Sequence, residues 1–302
     1  MSKPAARTSM ALGALVVNAL VWGVSWWPLR ELQSHGLHPL WSTVMIYLLA
    51  AIGVLVYKPG AWRPLLTHRG LMLLLVAAGL TNVGFNWAVT VGDVVRVVLL
   101  FYLMPAWSVL IAWALLGEKP NAGSLLRLLL ALAGVAVVLK APGAAWPLPS
   151  GIADWMAIMG GLCFALTNVL LRKHASAPAE SRMLAMFGGG ALMASGAACI
   201  GMGLEVVAAP AFAWAGLPAA LALCLAFMAG NMALQYGAAR LAASTTALVM
   251  LTEILFASAS SAWLGAAEFS TRTLVGGSLI VLAALLAALA PAPATPDRSQ
   301  LS

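Results

Sequence analysis

Long apolar segments, separated by short polar breaks, run through this whole chain and limit its possible folds more than any other feature. Ten such segments can be marked, at residues 10–30, 39–57, 70–90, 94–116, 123–141, 151–172, 182–204, 214–237, 243–264 and 272–290. Each is long enough for a helix to cross the hydrocarbon core of a bilayer, which takes about 17–25 residues. Barrel strands would instead alternate apolar and polar residues over about ten positions, a pattern that these segments lack. We therefore predict an all-α polytopic membrane protein with ten transmembrane helices.

The composition argues against a soluble protein. Of the 302 residues, 63% are hydrophobic and 8% are charged, whereas soluble domains are about a quarter charged. A net charge of +7 would suggest nucleic acid in a soluble chain, but here the basic residues cluster in the breaks, where they set membrane orientation. We expect the lipid bilayer as a partner and no nucleic acid. The three cysteines fall within apolar segments, which favours small packing roles over a disulfide framework.

The basic residues in the breaks predict the orientation, because ten spans place both termini on one side of the membrane. If that side is the cytoplasm, twelve basic residues face inwards: Lys3, Arg7, Lys58, Arg63, Arg69, Lys119, Arg127, Arg172, Lys173, Arg182, Arg240 and Arg298. Four face outwards: Arg30, Arg96, Lys140 and Arg272. This bias predicts cytoplasmic termini in a bacterial-type inner (plasma) membrane.

The two ends of the chain are expected to lie outside the membrane. Residues 1–9 form a basic cytoplasmic N-terminus, and residues 291–302 form a cytoplasmic tail that begins Pro/Ala-rich and is expected to be disordered. A cleaved signal peptide is the alternative for the start of the chain. It is disfavoured because Trp26, Trp27 and Pro28 stand where cleavage would need small residues.

A short polar pattern occurs twice, half a chain apart. Asn82-Val83-Gly84-Phe85-Asn86-Trp87 and Asn231-Met232-Ala233-Leu234-Gln235-Tyr236 both read amide, three apolar or small residues, amide, aromatic. Arg30 and Arg172 also close corresponding segments, and Leu116-Gly117-Glu118 corresponds to Leu264-Gly265 with a displaced Glu268. We predict two five-helix repeats, 10–141 and 151–290. An odd number of helices inverts the second copy, as in secondary transporters whose substrate sites lie between repeats.

Several residues of the chain resemble a known family. They are Trp22-Gly23 in the first helix, the run Leu115 to Glu118, and the run Ala233 to Gly265, which carries Gln235-Tyr236, Ala242-Ala243, Thr252-Glu253 and Phe256-Ala257. In order and spacing they resemble the EamA-type branch of the drug/metabolite transporter superfamily, and the chain is similar to the aromatic amino acid exporters over nearly all of 10–290. The resemblance implies ten helices around a central cavity and export of amino acids and related metabolites. The chain departs from the family where Ile254 replaces the proline after Glu253, and where Gly265 and Glu268 are separated.

The paired amides are candidate substrate-binding residues. Asn82 and Asn86 lie four apart and so share a helix face, as do Asn231 and Gln235. They can line the cavity and bind a substrate carboxylate or amino group. The alternative is hydrogen bonding between neighbouring membrane helices. Trp87 and Tyr236 lie about 100° further around their helices, where they can flank the cavity or pack against the next helix.

The first helix carries a polar and aromatic stripe at Asn18, Trp22, Ser25 and Trp26, and its counterpart carries Cys163, Thr167 and Asn168. Such a stripe is unsuited to lipid, so Asn18, Trp22 and Asn168 are candidate substrate-binding residues. Aromatic faces can attract an ammonium group or stack on a ring. Trp26 and Trp27 also fit the interfacial belt, to which we assign Trp27.

Glu253 is the sharpest single signal, because a carboxylate in the middle of an apolar segment is expensive and is a functional candidate by default. It could exchange a proton during transport or bind a substrate ammonium. Alternatively it shapes its helix and is satisfied by hydroxyls such as Thr252 or Ser258. In the fourth helix Tyr102 and Pro105 suggest a polar handle beside a hinge, with a static kink as the alternative.

The remaining motifs exclude other chemistry. Asp93 and Arg96 are spaced as a surface ion pair, or as an outer gate. His35 and His38 lack a third ligand at metal-binding spacing, so we expect no metal. The sequence has no phosphate-binding loop and no hydrolase motif, so we expect no cofactor and no enzyme.

These observations predict a secondary transporter that exports neutral or aromatic amino acids by alternating access. The alternative is proton-coupled export of drugs, sugars or nucleosides, followed by a membrane-embedded enzyme or scaffold. Ten helices can enclose a cavity within one chain, so a monomer suffices, although small-residue faces such as Gly276-Gly277 permit association.

Overall fold

The described part of the chain is entirely helical in its regular structure. The computed structural model describes residues 3–116, 122–140, 148–174, 176–210, 216–238, 249–250, 252–266 and 270–288, and within these ranges every regular element is a helix. Several residues named above lie outside the described ranges, and so does the tail: Glu118, Lys119, Arg240, Ala242, Ala243, Glu268 and 291–302.

Thirteen helices follow one another along the described ranges. They are α1 (Lys3–Val24), α2 (Trp26–Ser34), α3 (Pro39–Tyr57), α4 (Arg63–Thr67), α5 (Arg69–Val91), α6 (Val94–Phe101), α7 (Met104–Leu116), α8 (Ala122–Leu139), α9 (Ile152–Lys173), α10 (Ala179–Gly203), α11 (Leu217–Ala238), α12 (Thr252–Trp263) and α13 (Thr271–Ala288).

Seven stretches among the described residues are long and apolar enough to cross a membrane. These are Ser9–Ser34, Pro39–Tyr57, Arg69–Val91, Val94–Leu115, Ile152–Leu171, Ala179–Gly203 and Leu217–Gly237. Two shorter apolar helices, Leu125–Val138 and Thr271–Ala283, accompany them. The all-α, multi-pass membrane architecture predicted from the apolar segments is thereby confirmed.

The helices pack in a definite set of pairs. Helix α5 packs against α9 and α10, while α1 packs against α11 and α12. Helix α3 contacts α10 and α11. Helices α6 and α7 both contact α9, and α8 packs along α13. Helix α1 comes close to α12 because Gly23 has no side chain: a Cβ there would lie 2.8 Å from the backbone oxygen of Glu253. These contacts place a large buried core between helices from both halves of the chain, with a second, smaller cluster beside it.

The fourth apolar segment is broken into α6 and α7 at Tyr102 and Leu103. A break was expected here, since Pro105 has no N–H and leaves the carbonyl of Phe101, one turn earlier, without its helical donor. That carbonyl faces Gly161 of α9, where a Cβ would lie 2.4 Å from the Phe101 oxygen. Glycine at this position therefore lets α9 pack directly against the broken backbone.

Asp93 and Arg96 act differently from the predicted ion pair. Asp93 caps α6, with Oδ1 accepting from the backbone N–H of Arg96 at 2.7 Å. The Arg96 guanidinium instead makes two parallel 2.8 Å bonds to the carboxylate of Asp154 on α9. The prediction that Asp93 and Arg96 form an ion pair is therefore wrong. A carboxylate just before a helix is best placed to accept hydrogen bonds from the N–H groups of the first turn. The resulting ion pair joins the two halves of the chain.

The loop histidines have structural partners. His38 caps α3, with Nδ1 accepting from the Leu40 N–H at 3.2 Å, and burial lowers its pKa. The lowered pKa favours the neutral ring, which can accept this bond. His35 lies 3.3 Å from the carboxylate of Glu31.

Candidate functional site

A cavity of about 50 Å³ lies at the centre of the helices. Its lining residues come from α1, α3, α5, α6, α9, α10, α11, α12 and the helical residues 249–250 before α12: Asn18, Trp22, Tyr47, Ala78, Thr81, Asn82, Phe85, Phe101, Phe164, Thr167, Met186, Phe187, Phe227, Asn231, Leu234, Met250 and Glu253. A water molecule needs about 10–15 Å³ of such space, so the empty cavity has room for a few waters. A larger ligand requires the lining side chains to move.

Aromatic rings form a large part of the described cavity wall. Trp22 stacks on Phe227 with ring centroids 4.6 Å apart, and Phe85 meets Trp22 edge-on at 5.9 Å. Tyr47 lies 5.7 Å from Phe227 and 5.8 Å from Phe187. Offset and edge-on contacts of this kind are the favourable arrangements for aromatic pairs. The wall is suited to a flat or apolar group.

Among the described residues of the lining, Glu253 is the one that carries a charged group. It lies in the first turn of α12 and is 4% exposed. The Tyr102 hydroxyl lies 2.9 Å from Glu253 Oε2 and 2.7 Å from the backbone oxygen of Met250, so it donates to one of the two at a time. Because Tyr102 sits in the break between α6 and α7, this bond connects the break to the second half of the chain.

The hydrogen bond to the Glu253 carboxylate comes from Tyr102 and not from the neighbouring hydroxyls that were expected to make it. Thr252 Oγ1 donates to the Val249 carbonyl at 2.7 Å, since a helical threonine readily bonds back to its own backbone. We correct the expected partner from Thr252 or Ser258 to Tyr102.

The first amide row is divided by the structure. Asn82 lines the cavity, where its Oδ1 accepts from the Tyr47 hydroxyl and its Nδ2 donates to the Ala78 carbonyl at 2.7 Å. Asn86 is fully buried behind the lining, and its Nδ2 donates to Thr43 Oγ1 on α3 at 3.1 Å. Its neighbour Trp87 lies outside the lining too.

The second amide row is divided in the same way. Asn231 lines the cavity, donates to Met186 Sδ at 3.6 Å and accepts from Gln235 Nε2 at 2.9 Å. Gln235 stands one turn behind the lining and holds the Asn231 side chain. Tyr236 is half-buried outside the lining. In both halves, then, the structure brings the first amide of the motif to the cavity and places the second amide and the aromatic residue behind it.

The stripe predicted on the first helix and its counterpart reaches the cavity in part. Asn18 and Trp22 of α1 line it, and Thr167 of α9 lines it in place of Asn168, which is half-buried elsewhere. Within the described residues, the Asn18 Oδ1 and the Thr167 hydroxyl are buried without a hydrogen-bond partner. Trp27 is 57% exposed, as expected of an interfacial residue.

Sequence reasoning missed several lining residues that a helical face would have identified. Phe227 lies one turn before Asn231, and Phe85 lies three residues after Asn82, so each shares the face of its amide. Tyr47 of α3 and Phe187 of α10 carried no comparable signal. Only the packing of α3 and α10 against their neighbours brings them to the cavity.

Many lining residues come in pairs that are equally spaced along the chain. Five pairs lie 149 positions apart: Asn18 and Thr167, Ala78 and Phe227, Asn82 and Asn231, Phe85 and Leu234, and Phe101 and Met250.

Comparisons with known proteins agree with the fold and the motifs. The model of the EamA-like transporter family matches residues 9–140. No curated protein gives a significant match. Sixteen chains of solved structures do; one, titled only as the crystal structure of a protein, has a TM-score of 0.59 and 18% identity, and the match covers 93% of this chain and 97% of that one. At this identity the likeness shows the fold alone. Over residues 9–140 the match confirms the resemblance to EamA-type transporters predicted from the sequence.

Proposed function

We propose that this protein is a secondary transporter that exports neutral or aromatic amino acids, and related small metabolites, across a bacterial-type inner membrane by alternating access. The observation that carries the proposal is the central cavity itself. It combines an aromatic wall with three asparagines and one carboxyl group, all buried between helices from both halves of the chain. An amino acid with an apolar side chain presents the complementary groups: an apolar side chain for the wall, a carboxylate for the amides and an ammonium group for the carboxyl.

We propose in addition that ten transmembrane helices form two inverted repeats, 10–141 and 151–290, with residues 1–9 and 291–302 in the cytoplasm. Helices α1–α2 and α6–α7 each count as one broken span, and α4 is too short to cross. Exchanging the halves maps the α5–α9 contact onto α11–α1, and the α6–α9 contact onto α12–α1. The α3–α10 and α8–α13 contacts map onto themselves. The five equally spaced pairs of lining residues support the same assignment.

The lining residues divide by chemistry into two groups. Asn18, Asn231 and Glu253 are proposed to bind the polar backbone of the substrate, and Glu253 suits its ammonium group. Trp22 and the phenylalanine rings are proposed to hold the side chain. Asn82 is proposed to contribute by holding the Tyr47 hydroxyl in place. Tyr102 is proposed to contribute by holding the Glu253 carboxyl. Gln235 is proposed to act from behind the lining by holding the Asn231 side chain. Four other candidates lie outside the lining and are proposed to support its helices: Asn86, Trp87, Asn168 and Tyr236.

Counterflow into proteoliposomes tests the proposal. Vesicles loaded with one unlabelled amino acid should accumulate its labelled form, for a panel of neutral and aromatic amino acids, with and without a pH gradient. We expect uptake for the aromatic members above that of protein-free vesicles. Silence across the whole panel would overturn the substrate class.

Proton-coupled export of drugs or other organic cations is a second candidate, favoured specifically by the buried carboxyl of Glu253. Such exporters trade protons for a cation at a membrane carboxylate. Uptake of a cationic dye that depends on the pH gradient, together with no amino acid counterflow, would select this alternative.

A scaffold or a membrane-embedded enzyme belongs to a different class and has no need of an alternately exposed cavity. A variant without Cys163, Cys199 and Cys224 can carry one new cysteine in place of Asn82 or Asn231. We expect a water-soluble thiol reagent to modify both positions. A cysteine in place of Asn86, which lies behind the lining, is the matched control and should remain unmodified.

A further inference from the structure

Two asparagines of the cavity donate their amide N–H groups to methionine sulfur atoms. Asn18 Nδ2 lies 3.3 Å from Met250 Sδ, and Asn231 Nδ2 lies 3.6 Å from Met186 Sδ. All four residues line the cavity and each is at most 9% exposed. A thioether sulfur is a weak acceptor. These two buried donors are therefore held by weaker bonds than an oxygen atom would make.

The third asparagine of the cavity shows the contrast. Asn82 donates to the backbone oxygen of Ala78 at 2.7 Å, and its own oxygen accepts from Tyr47. A backbone carbonyl in the same helix is a strong and fixed acceptor. Asn82 is already satisfied, while Asn18 and Asn231 have donors that a better acceptor could take.

The two weakly held amides are neighbours across the contact between α1 and α11. Asn18 Oδ1 lies 3.4 Å from the position that a Cβ would occupy at Gly230, the residue before Asn231. One ligand can therefore meet both side chains. Both sulfurs belong to flexible, unbranched side chains, which can turn aside without moving the backbone.

We propose that Met186 and Met250 are specificity-determining residues whose sulfur atoms occupy, in the empty cavity, the positions of a substrate's oxygen acceptors. A carboxylate or carbonyl oxygen that enters the cavity takes over the N–H groups of Asn18 and Asn231. The displaced methionine side chains move away and enlarge the space. The identity of the ligand rests on the proposed transport function, whereas the amide–sulfur contacts belong to the empty cavity and can be measured without any ligand.

Substitutions of the methionines should change affinity in opposite directions. Met250→Leu keeps an apolar side chain of similar volume but leaves the Asn18 N–H unsatisfied in the empty cavity. A ligand oxygen then gains more, and binding should tighten by about two- to tenfold, the usual worth of one hydrogen bond. Met250→Gln supplies a stronger acceptor that competes with the ligand, so binding should weaken by a comparable factor. Met186→Leu and Met186→Gln should behave alike at Asn231.

The first experiment uses the full chain in lipid nanodiscs without ligand, with the methionine methyl groups labelled for NMR. Asn231→Leu should shift the methyl signal of Met186, and Asn18→Leu that of Met250. Met202, an exposed methionine near the end of α10 and sixteen positions from Met186, is the control and should be unaffected. Unchanged Met186 and Met250 signals would overturn the inference.

The second experiment measures equilibrium binding of radiolabelled L-phenylalanine to the same preparation. Tighter binding by the leucine variants and weaker binding by the glutamine variants support the inference, with the control variants Met202→Leu and Met202→Gln on α10 close to wild type. Weaker binding by all four cavity variants would mean that the methionines only fill space, and would overturn it. If the wild type binds no member of the neutral amino acid panel, the proposed substrate class fails, and the methyl shifts alone decide the role of the methionines.

Discussion

Trp22 and Trp27 lie five positions apart at the junction of α1 and α2, yet they meet different surroundings. Trp22 stacks on Phe227 in the cavity wall, whereas Trp27 is 57% exposed on the outer surface of the helices. The two residues therefore form a matched pair for testing the aromatic wall.

We expect Trp22→Ala to lower counterflow of L-phenylalanine by about tenfold, because it removes a stacked aromatic pair and leaves a gap in the wall. Trp27→Ala should remain within about twofold of wild type, since only an interfacial contact is lost. Initial rates at equal amounts of reconstituted protein provide the comparison. Equal losses in both variants would contradict a substrate role for Trp22.

Glu253 offers a second test at the scale of the residue. Glu253→Gln keeps an oxygen that can accept from Tyr102 but removes the ability to gain or lose a proton. If this carboxyl couples transport to protons, the variant should lose the dependence of transport on a pH gradient. The measurement is counterflow with and without the gradient, and Tyr102→Phe, which keeps the carboxyl, is the control. A variant with both transport and pH dependence unchanged would refute the coupling.

The break between α6 and α7 is the element on which several cavity contacts depend. It carries Tyr102, and the backbone carbonyl of Phe101 packs against Gly161 of α9. A side chain at Gly161 would have to push α9 away from the break, since backbone atoms cannot give way as a flexible side chain can.

We expect Gly161→Ala to destabilise the protein by about 1–3 kcal/mol, as overpacking of a tight contact usually does. Gly196→Ala on α10 is the control, because a Cβ there meets nothing within 4 Å. It should be neutral or slightly stabilising. Thermal unfolding in detergent should show a lower midpoint for Gly161→Ala alone. Equal midpoints for the two variants would contradict the proposed close contact.

At the scale of the element, much of the fold follows from the sequence. Apolar length places most of the helices, and Pro105 marks the break after α6. The division of the amide rows could not be predicted in this way. Asn82 and Asn86 share a face, but only the approach of α3 decides that Asn86 meets Thr43 instead of the cavity. Tertiary packing therefore decides which polar residues of a helix face line the cavity.

For the whole molecule, the ion pair of Arg96 and Asp154 joins α6 of the first half to α9 of the second. Its partners were not predictable, because Asp154 is distant in sequence and Asp93 offered an apparent local partner. The orientation predicted from the basic residues places this ion pair at the outer face of the membrane. Alternating access would require the ion pair to break when the cavity opens towards that face.

We expect Asp154→Asn to favour opening on that face, since it removes the charge that holds the Arg96 guanidinium. A loss of about 1.4 kcal/mol would shift the equilibrium about tenfold. Labelling of a cysteine in place of Phe85 by an external reagent should then become faster. Asp93→Asn, which preserves a helix cap on the same face, should leave the rate unchanged. A slower or equal rate in Asp154→Asn would contradict the role of this ion pair.

The small volume of the cavity has a kinetic consequence. Its aromatic walls contact one another, so a carrier that returns with the cavity in this closed form need not carry a large hydrated space across the membrane. The empty carrier should therefore return freely and complete the cycle by itself, as in a uniporter. We expect efflux from loaded vesicles to proceed at the same rate whether or not amino acid is present outside. An obligate exchanger would instead show trans-stimulation, with efflux starting only when external substrate is added.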